Sequence, residues 1–237
     1  MLRTQDLADV VYASGAVFNG LSTNRPDTRS FLATGSTAGV SSRSDLNLLE
    51  DLRDAAEFIV RHASATVDAA YVIAVNARLS RSGALLPGVL MADADHIGVA
   101  TRYGRHEPPA LTVDTLRRLI DQTVVAGRDD VDNAIALFVA VAAAQPFGDG
   151  NKRTALFAAN GLLIAKRTGR LLTLPAGDEH DPLGSTPGDV SRFNDLLARA
   201  YVLGETGAVE AFLRDYVVAS PGSPPAGPVS DAGQEAG

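Results

Sequence analysis

Gln145-Pro146-Phe147-Gly148-Asp149-Gly150-Asn151-Lys152-Arg153-Thr154 is the stretch on which the reading of this chain turns. Before it, Val131 to Ala144 is apolar almost all round, through Ala134, Ile135, Leu137, Phe138, Val139 and Val141. A helix without a polar face belongs at the centre of a bundle. Pro146 ends it, because proline disfavours helical geometry in the residue before it. Arg153 to Lys166 then returns to helical spacing through Leu156, Phe157, Ala159, Leu162 and Leu163, with Gly169 just past its end as a left-handed cap. Two helices joined by a tight glycine turn predict an all-α fold built around that junction.

Working outward, Thr4 to Val17 reads as a short helix through Leu7, Val10, Val11 and Val17. Ser22 to Ser44 is rich in Ser, Thr, Gly and Arg, and the expectation is a mobile polar loop. Residues 1–44 thus form an N-terminal helix with a loop, and 45–218 the main domain. Helices are expected from Asp45, through Leu49, Leu52, Ala56 and Ile59, and over Thr66 to Ser80. Arg81 to Ala110 is broken by glycines and prolines and predicts an irregular segment with a small hairpin. Thr112 is an N-cap for a helix buried along Leu116, Leu119 and Ile120. Two more helices are expected near Asp189 to Leu203 and Thr206 to Val218, giving six to eight in all. The tail, 219–237, is expected to be disordered.

The central loop carries chemistry as well as a turn. A helix start presents unpaired N–H groups and the positive end of its dipole, and a glycine-containing loop can shape such donors into an anion nest. Lys152 and Arg153 add two cations there, and arginine can grip phosphate oxygens in pairs. Asp149 is a hard oxygen ligand suited to Mg²⁺ held mainly by phosphates. The bland alternative is a helix-start turn with solvated charge. Cations at a helix N-terminus oppose the dipole at ~0.3–1 kcal/mol each, so a bound anion would account for them. The reading is a nucleotide-phosphate site.

Composition narrows the field. The 237 residues carry a formal charge of −7, which argues against general nucleic-acid binding. There is no cysteine, and the four histidines show no metal-ligand spacing, so a zinc site is not expected. No apolar run approaches the ~20 residues of a membrane helix and the N-terminus lacks a signal pattern, which reads as a cytoplasmic protein.

The loop resembles the signature of the Fic/Doc-like family, His-Pro-Phe-x-Asp/Glu-Gly-Asn-Gly/Lys-Arg, at every informative position but the first. Gly83 to Pro109 resembles the family's target-positioning flap, and Phe193 to Val218 its closing helices. The resemblance implies a helical bundle with a small β-hairpin flap. It implies that Phe147 anchors the loop, that Asp149 binds Mg²⁺, that Gly148, Gly150, Asn151 and Lys152 cradle phosphates of ATP or another nucleotide, and that Arg153 takes a terminal phosphate. Gly150 is like the AMP-transferring members and Lys152 like the Doc-like phosphate-transferring toxins. A protein target would lie along residues 83–110, and AMP transfer to its hydroxyl is the leading expectation.

Two departures stand out. Gln145 replaces the histidine that acts as the family's general base, and an amide cannot take up a proton. Three readings follow: a weakened or inactive member that still binds nucleotide, a reaction using no base or another one, or an introduced substitution that traps substrate. His106 and Asp149 are candidate stand-ins; His96 shares the flap, and His62 and His180 read as surface residues. Phe18 sits where the family's inhibitory helix carries a glutamate, so no glutamate-type autoinhibition is expected. The rivals are an inactive nucleotide-binding regulator and a Doc-like phosphotransferase toxin.

Overall fold

The computed structural model describes residues 2–82, 86–92 and 98–221. Among them the fold is helical, with two short antiparallel strand pairs. A 3-10 turn, Thr4–Leu7, leads into α1 (Ala8–Asn19), followed by α2 (Arg25–Thr34), α3 (Arg43–Arg61) and α4 (Ala69–Asn76). The hairpin of β1 (Val99–Thr101) and β2 (Gly104–His106) precedes α5 (Val113–Thr123), α6 (Asp130–Ala144) and α7 (Asn151–Ala165). Then come β3 (Arg170–Leu172), α8 (Pro187–Leu203), α9 (Thr206–Leu213) and β4 (Val217–Ala219). The helix count, nine among the described residues, exceeds the expected six to eight.

The central pair is α6 and α7, packed side by side and walled by α1, α3, α4, α5, α8 and α9. Leu137, Phe138, Val141, Leu156 and Phe157 are fully buried, as an apolar helix pair at the centre of a bundle must be. Side chains cap several helix starts: Ser42 accepts from the Asp45 N–H, Asp68 from Tyr71 and Thr112 from Thr115.

Several expectations need correction. The polar stretch 22–44 is not simply a loop, since α2 lies inside it. Asn24 caps that helix, Pro26 sits in its first turn, and Phe31 and Leu32 are buried. Its Arg25 is buried too, bound to Asp9 and Asp178 at 2.9 Å each. Residues 1–44 therefore share one core with the rest, because α1 packs on both α3 and α7. The helix expected over Thr66 to Ser80 is only the eight residues of α4, because buried Asp51 holds the turn at Ser80, Arg81 and Ser82 by their N–H groups. That expected over Thr206 to Val218 stops at Leu213. Val217 and Val218 pair instead with Leu172 and Leu171, as β-branched residues favour, so ordered structure passes the expected boundary at 218.

Within 83–110, the described residues form two separate pieces. Of these, 99–106 is a hairpin that docks on α8 through Tyr103 and Arg102, both bound to Asp195. Residues 86–92 run beside the signature loop instead: Leu90 makes an antiparallel bridge with Phe147, and the Met91 N–H donates to the Pro146 carbonyl at 2.8 Å. Gly83, His96 and residues 222–237 lie outside the described residues.

Candidate phosphate site

At Gln145 the buried α6 ends in a left-handed turn, φ 44° and ψ 56°, a region that non-glycine residues seldom adopt. The side chain is buried at 5% exposure and lines the cleft below. Phe147 is buried in the core beneath the loop. The Asn151 amide clamps that anchor: its Oδ1 accepts from the Phe147 N–H at 2.9 Å and its Nδ2 donates to the Phe147 carbonyl at 2.7 Å. The Asn151 side chain, bonded twice to its own loop, thus shapes the turn. Its N–H remains part of the open helix start. Gly150 has φ 74°, and an added Cβ would come within 2.7 Å of Leu79 Cδ1, so this turn needs glycine.

Beyond Gly150, α7 starts with Lys152 and Arg153 in its first turn. The Lys152 ammonium lies over the Phe18 ring, 5.1 Å from its centre, with no carboxylate partner among the described residues. Burial pushes its pKa below the ordinary lysine value. Arg153 is 2% exposed, donating from Nη1 to Ser82 Oγ at 2.6 Å and from Nη2 to Asp149 Oδ2 at 3.1 Å. Burial lowers its pKa, and Asp149 and Asp51 partly offset that. The Asp149 side chain is 48% exposed, and its Oδ1 also accepts from the Gly150 N–H.

These groups enclose a cleft of about 180 Å³, lined by Gln145, Gly148 to Arg153, Phe18, Asn19 and Val99. A pocket of about 340 Å³ adjoins it between β1 and α8, sharing Val99 and Lys152. Small-molecule sites span about 300–1,000 Å³; the cleft alone falls below that range, and with the adjoining pocket it falls well inside it. All eight residues expected at the site thus come to one loop, and seven of them line the cleft while Phe147 supports it from beneath.

The stand-in bases fare differently. His106 Nε2 is bonded to the Ala143 carbonyl at 2.6 Å and the ring stacks on Tyr201, so the side chain ties the hairpin to α6. Asp149 is paired with Arg153.

Sequence reasoning missed three supports. Asn76 donates to the Asp149 carbonyl and to Thr154 Oγ1, and accepts from the Gly88 N–H. Ser82 holds Arg153, and Asp51 holds Ser82. The Asn76 and Ser82 contacts with the loop span 71 to 78 residues, so no local spacing announces them.

A helical bundle with an anion-suited helix start at its centre is the class that fold and site define. Residues 66–163, the stretch that carries the loop, match the model of the Fic/DOC family. Its fold is similar to a Fic domain-containing signaling protein from Bacteroides thetaiotaomicron, at TM-score 0.64 and 16% identity, covering 91% of this chain and 88% of that one. It is also similar to Fic-1 of C. elegans, at TM-score 0.61 and 16% identity, over 91% and 63% of the two chains. A Fic family protein from Desulfovibrio desulfuricans follows at 0.55 and 16%, over 90% and 65%. At such identities the likeness is one of fold. No curated protein sequence matches the chain. No described helix is long and apolar enough to cross a membrane.

Proposed function

We propose that the chain is a Fic-type transferase that binds the polyphosphate of ATP or another nucleotide in the Gln145–Arg153 cleft and passes AMP to a hydroxyl of a protein target. The observation that carries this is the meeting of Lys152, Arg153 and the α7 helix start on one cleft. Phosphate oxygens there would find backbone N–H groups, a guanidinium and an ammonium together. The nucleoside would extend into the pocket beneath β1, and the hairpin would hold an extended target segment by strand addition. A cytoplasmic setting belongs to the same reading.

Asp149 is the one carboxylate among the described residues that line the cleft, and its side chain is half exposed. No cluster of three or more metal-ligating side chains occurs among the described residues. That donor set fits Mg²⁺ bound chiefly by phosphates and not a protein-built cage. The ion would neutralise phosphate charge; Arg153 and Lys152 do the binding that belongs to the chain.

Gln145 stands in place of an imidazole, His106 is tied to α6 and Asp149 is paired to Arg153, so among the described residues no unpaired carboxylate or imidazole lines the cleft. These observations favour, as a second reading, a nucleotide-binding regulator with little or no transfer. A missing general base lowers rate by ~100- to 10,000-fold. ATP labelled at the α- or the γ-phosphate, incubated with the chain, Mg²⁺ and candidate targets, separates the readings. Slow incorporation of α-label, raised about 100-fold or more by Gln145→His, is the expected result. Incorporation of γ-label would point to phosphate transfer, and binding with no transfer by either form would establish the regulator.

A further inference from the structure

Arg153 is held by groups from two parts of the chain, and one of them is set by a buried acid with no contact to the cleft. Asp51 in α3 is fully buried and accepts the N–H groups of Ser80, Arg81 and Ser82 at 3.1, 3.0 and 2.8 Å. Three backbone donors on one carboxylate fix that turn in place. The turn delivers Ser82 Oγ to Arg153 Nη1 at 2.6 Å. Asp149, four residues before Arg153, reaches only Nη2. A guanidinium and a carboxylate prefer two parallel hydrogen bonds. Ser82, a neutral acceptor, takes a hydrogen of Nη1, one of the two nitrogens that an end-on pairing would use, while the other Asp149 oxygen accepts from the Gly150 N–H.

We propose that Ser82 is a positioning residue whose hydroxyl, fixed through the Asp51-bound turn, prevents Arg153 from closing two-pronged on Asp149 and so leaves the guanidinium available to phosphate. This rests on the cleft being a phosphate site. In the cleft as it stands, a phosphate oxygen has to displace one exposed carboxylate contact rather than a bidentate pair. Losing the hydroxyl turns Arg153 inward on its own chain.

The test is calorimetric titration of the full chain with inorganic triphosphate, without divalent metal. Ser82→Ala should bind about ten-fold more weakly, as expected for loss of a hydrogen bond to a charged group. Ser82→Thr, which keeps the hydroxyl, should stay close to the parent. Adding Asp149→Asn to Ser82→Ala should recover most of the loss, which a merely structural defect would not allow. Parent-like binding by Ser82→Ala, equal weakening by Ser82→Thr, or no recovery with Asp149→Asn would each overturn the inference. Arg153→Gln separates the levels: if it binds triphosphate like the parent, the phosphate site itself is wrong. If it loses binding while Ser82→Ala does not, only the role of Ser82 falls.

Discussion

Lys152 holds a half-buried ammonium against an aromatic ring, at the helix end where positive charge is least welcome. Burial lowers its folded pKa below the value of 10.5 that it keeps when unfolded. Between those two values the unfolded chain binds more protons, so this group makes stability rise with pH. Lys152→Met should therefore stabilise the protein fully below the lowered pKa, and the gain should shrink to its baseline as pH approaches 10.5. Urea denaturation of both forms at stepped pH reads this directly, and a gain independent of pH would contradict the desolvated amine. In the proposed complex a polyphosphate supplies the missing anion, so binding takes up a proton in the same window. The cations of the cleft were legible in the sequence because a Lys-Arg pair at a helix start needs an explanation. The role of Asn151 was not, since the choice between facing a ligand and bonding its own loop is made by side-chain direction.

At the scale of elements, the last turn of α1 forms one wall of the cleft. Phe18 stacks near Phe138 of α6 and Phe193 of α8, joining three helices under Lys152. Phe18→Glu would place a carboxylate beside that ammonium and compete with phosphate for it. Affinity for a fluorescent triphosphate nucleotide should fall roughly ten-fold or more; unchanged affinity would put the end of α1 outside the site. The helices α6 and α7 could be read from the sequence because their apolar periodicity is local and unbroken. α2 could not be read from periodicity, although Asn24 and Pro26 were an available start signal; its burial depends on Asp9 and Asp178, far along the chain. The segment 86–92 reads as flap in the sequence because glycine and proline mark irregular backbone without saying which neighbour it joins.

The molecule as a whole is tied at its N-terminal side by Arg25, which is 4% exposed, binds Asp9 and Asp178, and lies over the Tyr12 ring at 4.4 Å. Removing one member of a buried ionic group costs about 3–5 kcal/mol, and the partial exposure of both acids favours the lower end. Arg25→Ala should lower Tm by about 6–12 °C in a thermal melt. A shift within error would mean that α2 docks by its apolar residues alone. That 1–44 belongs to the same core was invisible to a reading by composition, which sees polar residues and not the acids that receive them.

In the proposed function Arg153, Lys152 and the α7 helix start form one receptor for a polyphosphate. A crystal structure of the chain soaked with Mg²⁺ and a non-hydrolysable ATP analogue tests it most directly. Phosphate density within hydrogen-bond reach of the Arg153 guanidinium and the N–H groups of residues 151–153 is the result predicted. An empty cleft at saturating nucleotide, with Arg153 still closed on Asp149 and Ser82, would contradict it.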